Sequence, residues 1–441
     1  MTRRAFVAGM MFGAALGMAP GAAADPYEVP ARWVESDGLL SPVGVDFTFT
    51  HVEHVPGLGV VAYGDRLMLR VDADDKPHVT LGLTGRRFSK DELVCTSVVP
   101  FAGEARLMSL GRVLSDAKSF RREAELERVD LIEEKRAPFS FPPPSEIESK
   151  WWSIGLFAGS DGSVLAHAAR PPPIAQPMLE TPPSPALEQR VYELRGAGWR
   201  ELANLDPSAF TVGDACLAGA SLFAVGTRIE RDANGMVTLR HGGAAELRDG
   251  AWTVAELSMP LFTASFDLDK VACGGARDFV VAMGSSAATS GSANRRALYG
   301  PSVLYAFDSE KWTEIVNHPG TPTVEQPDYP PITAIAVAPD RSLWVAYEKP
   351  DDPLRSLFRY AGGVWQAFPL PPVPIVSHYV IRGIAFDDKG HGWAISNLEG
   401  AADHPESRGI LLHFDGDDWV YQPWTWSPLK QRWFGWFGKL S

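Results

Sequence analysis

The sequence predicts an all-β fold, a β-propeller of about seven four-stranded blades. Three observations predict it. A tryptophan-ended signature recurs five times at a nearly constant period, alternating apolar strands joined by turns fill the intervals, and glycine (41) and proline (36) are plentiful among the 441 residues. Many turn formers and few helical runs are what a chain of short strands needs.

The signature is an alternating apolar strand, a turn, and a tryptophan that starts the next strand. It reads VYELRGAGW to Trp199, AAELRDGAW to Trp252, LYAFDSEKW to Trp312, LFRYAGGVW to Trp365 and LLHFDGDDW to Trp419. Successive tryptophans lie 53, 60, 53 and 54 residues apart. That period is too long for one solenoid turn and suits a four-stranded blade. Such regular spacing assigns these tryptophans to packing between blades.

The segments before each signature supply the other strands. Residues 332–347 read ITAIAVAPDRSLWVAY and residues 381–397 read IRGIAFDDKGHGWAISN, each an alternating strand, a turn and a second strand. Upstream, FTVGDACLAGASLFAVG, FDLDKVACGGARDFVVAMG and FSKDELVCTSVVP occupy the same place. Period-two alternation buries one face of a strand, and Asp, Asn and Gly make the hairpins. Blades are predicted near 45–83, 92–143, 151–203, 210–257, 270–316, 332–368 and 381–422. The first two are weakly patterned, so counts of six or eight also fit. Cys95, Cys216 and Cys273 follow a phenylalanine by six or seven residues, which places them at equivalent points of separate inner strands. A blade spacing exceeds the reach of a disulfide, so they are read as small buried residues.

The two best-patterned segments, 332–360 and 381–414, resemble the secreted bacterial repeats called two-component-regulator propellers. Those repeats run strand, Asp-x-x-Gly-type turn, Leu-Trp-Val strand, then an aromatic-ended strand. The resemblance implies a propeller. This chain departs from the pattern in its long insertions and in the turn APDRS, which lacks the glycine. No kinase or membrane segment accompanies the repeats, so the family's sensor role does not carry over.

The ends read differently from the repeats. Arg3-Arg4, a mildly apolar run to Met18 and Gly21-Ala22-Ala23-Ala24 before Asp25 make residues 1–24 a signal peptide of twin-arginine type. A bacterial periplasmic or extracellular location follows. Residues 25–44 are a lead-in, 45–422 the propeller, and 423–441 an aromatic-basic tail with Trp424, Trp426, Trp433 and Trp436 among Lys430, Arg432 and Lys439. That tail is read as covering the closing blade, with attachment to a surface as the alternative. No transmembrane span is expected, because the N-terminal apolar run is too short.

Composition narrows the partners. The formal charge of −13 provides no basic footprint for phosphates, which excludes nucleic acid as a partner. No cofactor is predicted, and no metal. His51 and His54 in HVEH stand three apart on a strand, so they point to opposite faces and do not converge on an ion.

Propeller geometry indicates where a site belongs. The loops between second and third strands, and the connections between blades, open on one face. Here they are long: 168–189, 227–244, 285–301, 348–355 and 398–408, with connections 317–331 and 369–380. The other face has short turns. Binding groups concentrate on long loops carried by a rigid scaffold. The candidates are His378 and Tyr379 before the last inner strand, Asp328 and Tyr329, Arg296, and His404. The favoured function is non-enzymatic: a binding or scaffold propeller for a glycan, peptide or protein. The rival is a hydrolase or lyase with its site at the channel mouth.

Overall fold

The computed structural model describes the chain from residue 32 to 421 except 37–38, 44–48, 56–58, 65–66, 72–76, 83–91, 102–104, 116–119, 131–134, 145–149, 159–161, 171–187, 197, 234–236, 259–262, 275, 289–301, 320–330, 349–354, 372–378 and 399–407. The predicted signal peptide and C-terminal tail therefore lie outside the described residues. A two-stranded hairpin, Arg32–Ser36 with Leu39–Val43, precedes seven antiparallel four-stranded sheets. They span 49–82, 92–139, 153–201, 210–255, 263–314, 332–368 and 380–421. Within each sheet the strands follow one another in chain order from inner to outer. The fold is a seven-bladed β-propeller.

The inner strands are Phe49–Val55, Glu92–Pro100, Ser153–Ala158, Phe210–Ala218, Thr263–Gly274, Ile332–Val337 and Val380–Phe386. Each contacts the next around the ring, and the seventh returns to the first. The core is distributed accordingly, as one apolar cluster at each of the seven blade–blade interfaces. The signature tryptophans Trp199, Trp252, Trp312, Trp365 and Trp419 all open outer strands and pair across the hairpin with Leu194, Leu247, Phe307, Tyr360 and Phe414. Two of their indole N–H groups also find partners. Trp199 donates to Ser140 O and Trp252 to Ala203 O, tying outer strands to the preceding segments.

Six of the seven inner strands carry a one-residue bulge, at Thr50, Thr96, Gly213, Asp269, Thr333 and Arg382. A bulge adds twist and re-aims the side chains that follow it. It also presses backbone onto the neighbouring strand. A Cβ on Gly226 would sit 1.9 Å from Thr211 O, and one on Gly284 would sit 1.8 Å from Asp267 O. Only glycine fits beside those two bulges.

An inner strand has one hydrogen-bonding edge with no strand to pair with, and a buried N–H left unpaired is costly. Side chains of the preceding blade supply partners. Glu53 Oε1 accepts from Val98 N, Ser97 Oγ from Leu156 N, Asp214 Oδ2 from Val271 N and Ser302 Oγ from Ile332 N. Gln189 does both, donating to Phe210 O and accepting from Val212 N.

Three sequence readings are corrected here. Cys216 and Cys273 form a disulfide, with Cα atoms 5.8 Å apart. They do occupy inner strands of neighbouring blades, but inner strands converge toward the axis, where blades are closest. Cys95 is not equivalent to them. It precedes its bulge by one residue, whereas the bridged cysteines follow theirs by three and four. The segment 227–244, expected as a loop, is mostly strand, because the second and third strands of blade four run to Arg231 and resume at Val237. The bridge closes a loop with a sequence separation of 57 residues. Replacing either cysteine with serine is expected to lower the unfolding free energy by about 2–4 kcal/mol. Urea denaturation with and without reductant checks this, and only the unsubstituted protein should respond to reductant.

The missing glycine of APDRS has a structural consequence. Arg341 adopts φ +65° at the turn position where blade seven has Gly390 at φ +89°. A side chain in that left-handed region is strained. Arg341→Gly should therefore gain about 0.5–1 kcal/mol, read as a rise in the urea midpoint.

Candidate binding site on the long-loop face

Two places bring polar and apolar groups together in a way that bears on function. The first is the channel ringed by the inner strands. Lys270, exposed on the inner strand of blade five, acts electrostatically on His51 of blade one and on Asp214 of blade four. Burial holds the His51 imidazole at about 4, with Lys270 adding to the depression. Burial raises the Asp214 carboxyl, against the opposing pull of Lys270 and the Val271 N–H. Asp269 is raised by burial and by Asp267, again opposed by Lys270. Asp267 itself accepts a hydrogen bond from Thr227 Oγ1 at 3.0 Å. Beside this group, His51 stacks on Tyr63 with ring centroids 5.3 Å apart. The Tyr63 hydroxyl donates to Glu53 at 2.9 Å, and burial pushes that carboxyl up to about 7. His54 faces the other way and reaches Asp388 of blade seven at 3.6 Å. Among the described residues, no three His, Cys, Asp or Glu are arranged to hold a metal ion.

The second place is a cleft of about 310 Å³ on the long-loop face of blade four. Its apolar floor is Leu205, Phe210 and Val254, and its charged groups are Asp206, Arg228 and Glu256. The sequence builds it in three steps. The connection from blade three turns tightly at 206–209, where Ala209 N and Phe210 N donate to Asp206 O and Ser208 N donates to its carboxylate. The turn is then fixed to the second strand by Ile229 N donating to Ala209 O. Finally, the third strand carries Gly243, where a Cβ would meet Phe210 at 2.7 Å and the Arg228 side chain at 3.2 Å. Phe210 is thus laid flat into the blade, 1% exposed, and the space above it stays open. Val254 is 41% exposed on the outer strand, one of four large apolar side chains so exposed among the described residues. Arg228 lies 3.8 Å from Glu230, which is 3.5 Å from His241.

The second and third strands of blade four are joined through 232–236, a shorter connection than the 171–187 and 289–301 of blades three and five.

The sequence-predicted site residues are placed as follows. Tyr379 lies in the core between blades six and seven, 3% exposed, with its hydroxyl donating to Pro371 O at 2.8 Å. It packs, and burial raises its phenol. His378, Asp328, Tyr329, Arg296 and His404 lie outside the described residues. The channel group and the cleft were both missed. Charged residues within predicted inner strands, Glu53, Asp214 and the run Asp267 to Lys270, were the available signal, since a packed strand keeps charged side chains only where they have partners.

No protein-family model matches the chain, and no curated protein matches it. Solved structures do resemble it. The acylaminoacyl peptidase of Pyrococcus horikoshii is 9% identical at a TM-score of 0.46, over 86% of this chain and 52% of that one. A puromycin-hydrolyzing peptidase of Mycobacterium tuberculosis is 12% identical at 0.47, over 90% and 57%. The β-propeller domain of the Trilobed protease from Pyrococcus furiosus is 11% identical at 0.34, over 76% and 97%. The chain spans about half the length of the first two. At such identities and scores, nothing about activity follows from these likenesses.

Proposed function

We propose that the protein is an exported binding propeller that docks a peptide, glycan or protein on its long-loop face, at blade four. The observation that carries this reading is the cleft above Phe210: an apolar-floored hollow with charged groups in its lining, on the face where the second and third strands of the blade are joined. Binding sites have that composition, apolar lining with a few placed polar groups. Export is supported by the signal-type N-terminus and by the Cys216–Cys273 disulfide, since such bridges persist in oxidising compartments. The secreted two-component-regulator propeller repeats that blades six and seven resemble are in keeping with it.

A thermal-shift screen of the chain from Asp25 against peptides, glycans and cell-wall fragments tests the proposal, run in parallel on Val254→Trp. A ligand that binds the folded state raises the melting temperature by mass action. The substitution fills the cleft from an exposed position, so the melting temperature of the free protein should change little. The expected result is a ligand that shifts the original protein and not the variant. A ligand that shifts both equally would move the site elsewhere.

A second reading, a hydrolase or lyase acting in the channel, has one observation in its favour: His51, Asp214, Asp269 and Lys270 share one environment, and two of the carboxyls are raised there. Perturbed titration is a mark of catalytic sites and of structural ion networks alike. Asp214 also binds Val271 N, which gives it structural work.

A further inference from the structure

We infer that the blade-four cleft takes a short peptide with both termini free, about three residues long and with an aliphatic side chain. This rests on the reading that the cleft is the binding site, and it specifies the ligand chemistry. Three features of the cleft carry it.

The first is charge of both signs at opposite ends. Arg228 stands on the second strand of blade four, near the inner edge, and Glu256 follows the outer strand. Two strand spacings and an offset of two residues along the strands separate their backbone positions, about 12 Å. Asp206 adds a second carboxylate to the lining. Arg228 has Glu230 beside it at 3.8 Å and keeps a side chain 31% exposed, so the guanidinium is oriented and still reachable. A ligand with a carboxylate at one end and an ammonium at the other matches that arrangement, through the charge-assisted hydrogen bonds each would make.

The second feature is length and volume. An extended chain advances about 3.3–3.6 Å per residue, so about three residues, met by the two side chains, reach from Arg228 to Glu256. A volume of about 310 Å³ is at the small end for ligand sites and suits such a fragment.

The third is the floor. Leu205 and Val254 are aliphatic, and Phe210 is buried at 1%, leaving no ring face on which a sugar could stack. An aliphatic side chain is what such a floor accepts, at about 25 cal/mol for each Å² removed from water.

Isothermal titration calorimetry with the tripeptide Ala-Leu-Ala, its C-terminal amide and its N-acetyl form tests the inference on the whole mature chain. The free tripeptide should bind saturably, and either blocked form at least tenfold more weakly. Arg228→Gln should weaken the free tripeptide by a similar factor while leaving the affinity for the amide unchanged. Val254→Trp should abolish binding of all three, with circular dichroism confirming that it is folded. Equal affinity for free and blocked peptides would overturn the inference, as would binding that survives Val254→Trp. If the tripeptide fails and a glycan fragment binds in a manner blocked by Val254→Trp, the peptide assignment falls and the blade-four binding site stands. If nothing that binds is affected by Val254→Trp, both fall.

Discussion

Trp393→Ala is expected to lower the unfolding free energy by about 3–5 kcal/mol and to loosen the ring at one place, the seam between blades seven and one. The reason is topological. Each blade consists of four consecutive strands, so among the described residues no strand from one end completes a sheet at the other. The seam is closed by side chains, where Trp393, Ile395 and Leu411 of blade seven pack on Phe49, Val60, Ala62, Leu69 and Val71 of blade one. Trp393 is 1% exposed and stacks on His413 with centroids 4.2 Å apart. Val52 lies close to Gly383 across the same seam, 3.1 Å from where a Cβ would be. The other six interfaces join blades that are also linked by the chain, whereas this one joins the two ends. Hydrogen exchange should show protection lost first in the strands Phe49–Val55 and Val380–Phe386, ahead of the blades opposite. A loss below 1 kcal/mol, or uniform loss of protection around the ring, would mean that closure does not depend on this packing.

Acid should destabilise the protein between pH 6.5 and 4. Three histidines are held near 4 by burial: His51, with Lys270 adding to the effect, His167, and His318. His318 shows the cost of protonation in detail. In the neutral ring Nε2–H donates to Ser302 O at 3.2 Å and Nδ1 accepts from the Tyr347 hydroxyl at 3.0 Å. A second ring proton displaces the Tyr347 donor. Because the folded values lie below the unfolded one, the unfolded chain binds protons first, and the stability present above pH 6.5 is lost as pH falls toward 4. At pH 5 the loss is about 1–2 kcal/mol for each histidine. Glu53 acts in the opposite sense. Its carboxyl is raised to about 7, so it destabilises the fold above that pH, and the penalty fades as pH falls toward 4.5. That offsets about 2 kcal/mol of the acid loss, and the raised carboxyls of Asp214 and Asp269 act in the same sense, so the net fall from pH 7.5 to 5 is smaller than the histidine sum. Glu53→Gln retains the acceptor oxygen for Tyr63 and Val98 and removes the charge. It should be about 3 kcal/mol more stable than the original at pH 8 and about 1 kcal/mol more stable at pH 5. Urea melts of both proteins at pH 8, 7.5 and 5 measure this, and parallel curves with no divergence would contradict it.

Blade positions were legible because two periodicities coincide: alternation within strands and a tryptophan after each hairpin. The predicted 210–257 and 332–368 meet observed sheets at 210–255 and 332–368. Even the weakly patterned start, 45–83, contains the sheet at 49–82. The charged run at 118–136 reads as an exposed outer strand or short helix, and it proves to hold the third strand of blade two, Phe120–Asp130, with Leu126 and Val129 as its buried positions. What was not legible depends on three-dimensional convergence. The Cys216–Cys273 bridge needs the taper of the blades toward the axis, which no one-dimensional spacing encodes. The bulges shift side-chain direction by one residue, so equivalence judged by counting from a phenylalanine failed for Cys95. The cleft arises from an absence, Gly243 beneath Phe210, and a turn at Asp206, neither of which carries a pattern.

The most direct test of the account is methyl nuclear magnetic resonance of the valine- and leucine-labelled mature chain, titrated with Ala-Leu-Ala and with a chitin oligosaccharide as a representative peptide and glycan. Val254 and Leu205 line the cleft, while Val364, 66% exposed, opens the outer strand of blade six on the short-turn face. At least one titrant should shift the Val254 and Leu205 methyls saturably and leave Val364 in place. Methyls of Val254 and Leu205 that stay fixed under both titrants, or a Val364 that moves equally, would contradict it.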